Sequence, residues 1–298
     1  MPLVEIEGRR LKLSNLDKVL YPATGTTKAE VIDYYARIAP VMVPHLRDRG
    51  ITLRRFPDGV EAGSFFEKRC PSHRPEWLPT VLGPGDRRGG IDYCCLDSTP
   101  ALVWAANMAG LEVHAPMARG TDIDAPTICV FDLDPGAPAT IPECAEVALD
   151  IRHVLDGLGL EAYAKTSGSK GMQVYVPLNT PDHTHEQASA FALAVAQLLE
   201  RASPDSVTAT MAKAVRPGKV FVDWSQNSRH KTTVAVYSLR ARPRPTVSTP
   251  VTWDEVAAAA QGDDPLVFEM ADVLDRVEEH GDLYAEVETR EQQLPELG

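Results

Sequence analysis

Three aspartates are the residues of this chain whose type and spacing best suit chemistry. Asp132 and Asp134 stand one residue apart in TICVFDLD, an apolar, β-branched run that predicts a strand. Because side chains alternate along a strand, both carboxylates project from one face and can bind the same cation. Hard divalent metals such as Mg²⁺ and Mn²⁺ take oxygen ligands and bridge carboxylates to substrate phosphates. The pair alone is equally compatible with an ordinary strand end, so a metal site needs further support.

The stretch SGSKG at residues 167–171 offers a second kind of chemistry, the binding of an anion. Its glycines permit close backbone approach, its hydroxyl and N–H groups can donate to phosphate, and Lys170 adds positive charge. It lies between two predicted strands rather than before a helix, which distinguishes it from the P-loop of ATPases. The alternative is a tight turn with a solvent-facing lysine.

Asp223 is the third aspartate, and it is the single acid among eight Lys and Arg residues between positions 211 and 245. It is either an ion-pair partner of Arg216 or Lys219, or the third carboxylate of a two-metal site. Two metal ions would activate an attacking oxygen and stabilise a leaving pyrophosphate during in-line displacement.

Hydrophobic periodicity and capping signals predict the elements that position these residues. Thr27 and Glu30 form a capping-box pattern, so a helix is expected to begin near Lys28. Further helices are predicted over 99–108, 143–155 and 185–201, an extended segment over 112–116, a strand over 127–134, and hairpins over 161–178 and 219–239. The predicted fold class is α+β, with mixed, largely antiparallel sheets flanked by helices.

The composition is that of an ordinary globular protein, with 298 residues, 44% hydrophobic and 24% charged. No apolar run is long enough to cross a bilayer and no secretory signal opens the chain, so we expect a cytoplasmic protein without a membrane partner. The five cysteines do not suggest a disulfide framework and are expected to be free thiols. Cys70 and His73 have a ligand-like spacing, but no second pair follows to complete a zinc site.

The net charge of −12 is concentrated at one end of the chain. Residues 251–298 hold 14 acidic and two basic residues, so the first 250 residues are neutral overall. Within this neutral part, residues 211–245 and residues 1–75 carry an excess of Lys and Arg. These two regions are either solvated faces or basic surfaces for nucleic acid.

Three motifs in this order, FDLDPG, TSGSKG and GKVFVDWSQNS, resemble the catalytic motifs of the polymerase domain of bacterial ligase D, in the archaeo-eukaryotic primase superfamily. The similarity extends through SNLDKVLYPATGTTKAEVIDYY, FFEK, LEVHAP and KTTVAVYSLRAR, and covers roughly residues 10–260. The resemblance implies a primase-polymerase fold. It also implies a catalytic domain over 1–250, with a DNA-end-binding part over about 1–110, a metal and nucleotide core over about 111–245, and an acidic helical tail over 251–298 packed on the same domain.

The resemblance further implies roles for individual residues. The catalytic metal ligands would be Asp132, Asp134 and Asp223, with two Mn²⁺ or Mg²⁺ ions per site and Mn²⁺ favoured. The residues matching nucleotide-binding positions are Phe65, His114, Ser167, Lys170, Gln173, Arg216, Gln226 and Arg240. The residues matching DNA-binding positions are Asn15, Lys18, Lys28, Arg54, Arg55 and Phe66.

Some of these residues have simpler interpretations. On sequence alone Phe65 and Phe66 would be core residues, His114 a structural histidine, and Lys18 and Lys28 solvated. The family usually has histidine where this chain has Gln173, which can donate a hydrogen bond to phosphate but carries no proton or charge.

The function implied is addition of nucleotides, preferentially ribonucleotides, to primer 3′ ends during gap filling or end joining of broken DNA, at the bacterial nucleoid. The implied partners are NTP or dNTP, gapped or broken DNA with a 5′-phosphate, Ku, and an ATP-dependent DNA ligase. Two alternatives remain: a DNA-end bridging module with weak or no catalysis, and a haloacid-dehalogenase-type phosphohydrolase, which needs a parallel sheet behind ICVFDLDPG.

Overall fold

The computed structural model describes residues 2–85 and 89–296, and the chain divides into two compact units. The first unit comprises Met1–Thr121, Thr232–Ser248 and Phe268–Asp282. The second unit comprises Asp122–Lys231, Thr249–Val267 and Leu283–Gly298. The acidic tail is therefore shared between the two units.

The described residues form both helices and strands. The α-helices are α1 Lys28–Leu46, α2 Thr99–Asn107, α3 Ile141–Gly157, α4 His185–Ala202, α5 Trp253–Ala260 and α6 Met270–His280. The strands are β1 Leu3–Ile6, β2 Arg9–Lys12, β3 Val19–Tyr21, β4 Thr26–Thr27, β5 Thr52–Arg55, β6 Phe65–Glu67, β7 Thr80–Gly83, β8 Ile91–Cys94, β9 Gly110–Pro116, β10 Ala118–Arg119, β11 Asp122–Pro126, β12 Ile128–Pro135, β13 Tyr163–Thr166, β14 Met172–Pro177, β15 Val207–Thr208, β16 Val220–Asp223, β17 Thr232–Val234 and β18 Pro250–Val251. Short 3-10 helices cover Lys213–Val215, Trp224–Asn227 and Ala285–Glu288.

The second unit is built on a six-stranded sheet in the order β15-β16-β12-β14-β13-β18. Its pairs are antiparallel except for β15 with β16. Alternation along β12 buries Phe131 completely, where its ring meets that of Phe191 on α4. The same alternation places Asp132 and Asp134 on the opposite face of the sheet.

The first unit contains a four-stranded antiparallel sheet in the order β17-β9-β5-β6. The capping box predicted at Thr27 and Glu30 is present and starts α1 at Lys28. Helix α1 is tied to this unit by buried tyrosines, since the Tyr35 hydroxyl donates to the Leu111 carbonyl at 2.6 Å. This contact holds β9 against α1, and Leu111 and Val113 of its LEVHAP segment are buried.

The predicted α+β fold class is confirmed, and the hairpin predicted over 161–178 is present as β13 and β14. The hairpin predicted over 219–239 is wrong. β16 pairs with β12, whereas β17 pairs with β9 in the other sheet. Both segments have the right pattern for strands, but closeness in sequence does not determine which strand pairs with which.

The expectation of five free thiols is also wrong. Cys70 and Cys94 form a disulfide across a sequence separation of 24 residues. The Cys70 N–H donates to the Asp92 carbonyl at 2.7 Å, which holds the segment after β6 beside β8. The remaining cysteines are free and buried: Cys95, Cys129 and Cys144.

Among the described residues, no helix combines the length and the apolar character needed to cross a membrane.

Candidate metal and nucleotide site

The structure brings the three predicted aspartates together in the second unit. Asp132 lies directly opposite Asp223 in the register of β12 and β16, and Asp134 follows two residues later on the same face. One carboxylate oxygen from each residue lies within 4.8 Å of the others. Their convergence fits the donor set of a hard divalent cation.

The electrostatics of the cluster point the same way. Burial, together with the neighbouring charges of Asp134 and Asp223, raises the pKa of Asp132 to about 7, against the hydrogen bond from Gln173 and the charge of Lys165, which lower it. Carboxylates crowded in this way repel one another and lose hydration. A bound divalent cation would relieve both costs, so the residues present fit a metal ion.

Asp223 is held by its own strand end. It accepts from the backbone N–H of Ser225 at 3.0 Å and from the Gln226 amide at 3.1 Å. Its ion-pair partner is Lys231, with 3.8 Å between Nζ and the carboxylate. The pairing with Arg216 or Lys219 considered from the sequence is therefore not the one found.

Gln173 occupies the other side of Asp132. Its amide Nε2 donates to Asp132 Oδ1 at 3.0 Å, and the residue is only 3% exposed. Among the residues described, its Oε1 has no hydrogen-bond partner. Binding of Gln173 to a nucleotide phosphate stays a prediction, but its donor already has a partner.

The predicted anion-binding turn connects β13 to β14. The Ser167 N–H donates to the Gly171 carbonyl at 2.9 Å, and Ser167 Oγ accepts from the N–H groups of Ser169 and Gly171, both at 3.2 Å. Gly171 must be glycine, because a Cβ there would lie 1.9 Å from the Leu133 carbonyl oxygen on β12. The turn therefore lies directly against the aspartate strand, with Lys170 exposed.

Arg216 lies beside the same strands. Its guanidinium stacks 3.6 Å from the ring centroid of Phe221, the residue paired with Asp134 across β12 and β16. A Cβ on Gly136 would lie 2.0 Å from the Arg216 carbonyl oxygen, so the glycine after β12 permits this close approach. The second unit thus places a cationic side chain next to the triad strands.

The first unit contains a separate polar cluster centred on Glu112, which sequence reasoning missed. Glu112 is 1% exposed and accepts from His114 at 2.9 Å and from the Ala241 N–H at 3.0 Å. Its carboxylate also lies 3.4 Å from Arg240 and 3.6 Å from Arg54. A signal was available, since Glu112 and His114 are separated by one residue on a strand, as the aspartates of β12 are.

This cluster shifts the pKa values of both its central members. Burial alone would raise the pKa of Glu112, but the His114 hydrogen bond and the Arg240 charge outweigh burial and lower it to about 2. Burial lowers the pKa of His114, partly offset by Glu112. The cluster therefore holds an ionised glutamate.

Phe65 and Phe66 are surface residues of β6, so the interpretation of this pair as core is wrong. They are 46% and 58% exposed. The Arg55 guanidinium lies 5.2 Å from the Phe65 ring, and that of Arg54 lies 5.5 Å from the Phe66 ring. Exposed aromatic faces flanked by cations suit stacking on nucleic-acid bases.

The start of α1 collects the three residues predicted to hold a terminal phosphate. The Lys28 ammonium donates to the Ser14 carbonyl at 2.6 Å and Lys28 is 4% exposed, so its interpretation as a solvated lysine is wrong. The Lys28 N–H donates to the Lys18 carbonyl, and Lys18 forms an ion pair with Asp58 at 2.6 Å. Burial lowers the pKa of Lys28, and the nearby charges of Lys18 and Arg55 lower it further. Asn15 precedes them in the left-handed conformation, at φ 52°.

Comparison with known proteins gives a consistent result. The family described as "LigD, primase-polymerase domain" matches residues 27–284. The multifunctional non-homologous end joining protein LigD of Mycolicibacterium smegmatis is 49% identical over 280 residues, which cover 93% of this chain and 36% of that protein. The LigD protein of Pseudomonas aeruginosa is 34% identical over 83% of this chain and 29% of its own length. This chain thus spans about a third of the curated relatives it matches.

Among solved structures, the polymerase domain of Mycobacterium tuberculosis ligase D in complex with DNA superimposes with a TM-score of 0.88. It is 44% identical, and the match covers 95% of this chain and 99% of that domain.

Proposed function

Because this chain belongs to the LigD primase-polymerase family, we propose that it is a metal-dependent nucleotidyltransferase that extends primer 3′ ends during non-homologous end joining of DNA. The observation that carries the proposal is the convergence of Asp132, Asp134 and Asp223 within 4.8 Å, beside a serine- and lysine-bearing turn. Three carboxylates that can bind metal ions, next to a turn that can bind phosphate, suit in-line phosphoryl transfer.

Asp132, Asp134 and Asp223 would hold two divalent ions, Mn²⁺ or Mg²⁺, which supply charge neutralisation and activation of the attacking hydroxyl. Arg216 and Lys170 contribute positive charge toward the triphosphate, and the Ser167 turn contributes polar groups. Gln226 orients Asp223 through its 3.1 Å hydrogen bond.

In the first unit, we assign His114 and Arg240 to contacts with the nucleotide, and Phe65 to stacking on the nascent base pair. Arg54, Arg55 and Phe66 would contact the template, because cation-flanked aromatic faces bind bases without reading sequence. Preference for ribonucleotides rests on the resemblance around His114.

The biological substrate is broken or gapped DNA. The relatives carry the name of non-homologous end joining proteins, and the solved M. tuberculosis domain is in complex with DNA. We also propose Ku and an ATP-dependent DNA ligase as protein partners, because the relatives are named as non-homologous end joining proteins.

Primer extension tests this proposal directly. With Mn²⁺ and a labelled primer-template, the parent chain should add NTPs faster than dNTPs at matched concentrations. Asp134→Ala should abolish addition while DNA affinity, measured by fluorescence anisotropy, stays within a few-fold, because metal ions act on the reacting phosphates and not on the duplex. Undiminished extension by Asp134→Ala would refute the metal assignment.

The structure bears on one of the two alternative functions, the hydrolase, and the primer-extension assay tests the other, the bridging module. A haloacid-dehalogenase-type hydrolase needs a parallel sheet behind its aspartate, whereas β12 is antiparallel to both its neighbours. A DNA-end bridging module without catalysis predicts DNA binding with no primer extension in the same assay.

A further inference from the structure

Gln173 lies in a row of four polar side chains that crosses the six-stranded sheet. Lys165 pairs with Gln173 across β13 and β14, Gln173 pairs with Asp132 across β14 and β12, and Asp132 pairs with Asp223 across β12 and β16. Directly opposed residues of antiparallel strands project from the same face. One face therefore carries, in order, a cation, an amide and two carboxylates.

The hydrogen bond from Gln173 is directed at the triad and not at the phosphate turn. The Gln173 amide donates to Asp132 Oδ1 at 3.0 Å, in a position where the glutamine is 97% buried. A buried amide at a fixed register position has little freedom to take another partner. The glutamine is thus committed to one oxygen of Asp132.

The hydrogen bond from Gln173 to Asp132 Oδ1 fixes the orientation of the Asp132 carboxylate. With Oδ1 bonded to Gln173, the other oxygen of Asp132 would be available to a cation held jointly with Asp134 and Asp223. Groups that hydrogen-bond to metal ligands in this way typically alter metal affinity by about 10–100-fold. Lys165, which is fully buried at the end of the row, adds positive charge that offsets the repulsion among the carboxylates.

We propose that Gln173 is a positioning residue for Asp132 in the metal site, and not a ligand of the nucleotide phosphates. The proposal rests on the metal-dependent function argued above. It assigns this chain's departure from the family's histidine a definite role, in which a neutral amide orients a metal ligand.

Mn²⁺ binding measures this role without nucleotide or DNA. Free Mn²⁺ is quantified by its electron paramagnetic resonance signal during titration of the full chain and of Gln173→Met, which keeps the side-chain length but removes the donor. We expect Mn²⁺ affinity to fall about tenfold. Gln197→Met, the same change at an exposed position of α4, should bind Mn²⁺ as the parent does.

The kinetics of Gln173→Met separate metal positioning from phosphate binding. At saturating Mn²⁺ we expect the extension rate and the KM for nucleotide to return to within about twofold of the parent, because the added metal compensates for weaker binding. An unchanged Mn²⁺ affinity combined with a raised KM would overturn the proposal and restore Gln173 to the phosphates.

Asp134→Ala distinguishes failure of the proposal from failure of the function. If the parent binds Mn²⁺ and Asp134→Ala does not, the metal site stands, and an undiminished affinity in Gln173→Met refutes only the positioning role. If the parent does not bind Mn²⁺, or binds it no better than Asp134→Ala does, the metal-dependent function is wrong. The positioning role of Gln173 is then wrong as well.

A measurement on the unaltered chain covers the case in which Gln173→Met does not fold. The side-chain NH₂ signal of Gln173, assigned by nuclear magnetic resonance, should be protected from solvent exchange and should shift when Mg²⁺ is added. Rapid exchange without a response to Mg²⁺ would contradict the hydrogen bond to Asp132 and the proposal.

Discussion

At the scale of single residues, Glu112 offers the sharpest test of electrostatics in the first unit. Its pKa is lowered from 4.5 to about 2, since the hydrogen bond from His114 and the charge of Arg240 outweigh burial. A carboxylate whose folded-state pKa is depressed contributes stability that is fully present above the unfolded pKa and is lost as pH falls. The contribution of Glu112 is therefore complete above about pH 4.5.

We predict that Glu112→Gln lowers the free energy of unfolding at pH 7 by about 3 kcal/mol. The neutral amide loses the favourable interactions with His114 and Arg240 that lower the pKa of the glutamate. Urea unfolding at pH 7 and at intervals below pH 4.5 should show the difference from the parent shrinking toward pH 2. Glu61→Gln, an exposed position of the same unit, serves as the control. A difference that stays constant with pH would contradict the assignment.

The sequence predicted that Asp132 and Asp134 lie together, but not which side chains hydrogen-bond to them. The difference is that alternation along one strand is a local pattern, whereas contacts between strands are not. Asp132 and Asp134 share a face through local alternation alone. The bond from Gln173 to Asp132 depends on the register of two strands, which no local pattern encodes. Glu112 falls between these cases, because its spacing from His114 was readable but its arginine partners come from distant segments.

At the scale of elements, Asn227 links the turn after Asp223 to the aspartate strand. Its fully buried amide accepts from the Val130 N–H at 2.7 Å and donates to the Val130 carbonyl at 2.8 Å and to the Trp224 carbonyl at 2.9 Å. The side chain thus takes the place of a neighbouring strand at Val130.

We predict that Asn227→Leu, which is similar in size, destabilises the protein by roughly 2–5 kcal/mol because it leaves both Val130 backbone groups buried and unpaired. Urea unfolding measures the change, and Gln197→Leu on the exposed face of α4 should stay within about 0.5 kcal/mol of the parent. If Asn227→Leu lowers the free energy of unfolding by less than about 0.5 kcal/mol, water or a backbone shift must satisfy the Val130 backbone groups in place of the amide.

The start of α1 carries a prediction about DNA ends. The ammonium groups of Lys18 and Lys28 and the guanidinium of Arg55 lie near one another at this point, and this concentration of positive charge suits a terminal phosphate. We predict tighter binding and better fill-in of gapped DNA with a 5′-phosphate than with a 5′-hydroxyl. Lys18→Ala with Lys28→Ala should erase that difference while extension of an open primer-template persists.

The double variant needs a matched comparison, because Lys28 is buried and bonded to Ser14. Lys18→Ala alone, at a partly exposed position, should remove part of the discrimination without loss of stability. Equal discrimination of the two DNA ends by both variants and the parent would place the phosphate elsewhere.

The sequence predicted helices better than it predicted strand pairing, because helix caps and helical periodicity are local patterns. The capping box at Thr27 and the periodicity of α3 and α4 identified helices within a few residues. The pairing of β17 with β9 and the bond between Cys70 and Cys94 join segments far apart in sequence, and the chain carries no local pattern for either.

At the scale of the whole molecule, the acidic tail combines surface charge with buried anchors. Residues 251–298 hold the entire net charge of −12. Tyr284 and Val287 are each only 1% exposed, and Tyr284 donates to the Tyr163 carbonyl at 3.1 Å. The Gln292 N–H donates to the Leu178 carbonyl at 3.0 Å. The last part of the tail, from residue 283 onward, is therefore anchored in the second unit by buried contacts.

This arrangement predicts that stability depends on the anchors and not on the charges. Tyr284→Ala removes a buried ring and should lower the free energy of unfolding by about 3–5 kcal/mol. Glu291→Gln with Glu296→Gln, at exposed positions, should change it by less than about 0.5 kcal/mol. Urea unfolding at 0.15 M salt compares the two variants, and a repeat at 1 M salt tests for screened repulsion. If neutralising the glutamates stabilises the chain as much as Tyr284→Ala destabilises it, charge repulsion rather than packing governs the tail.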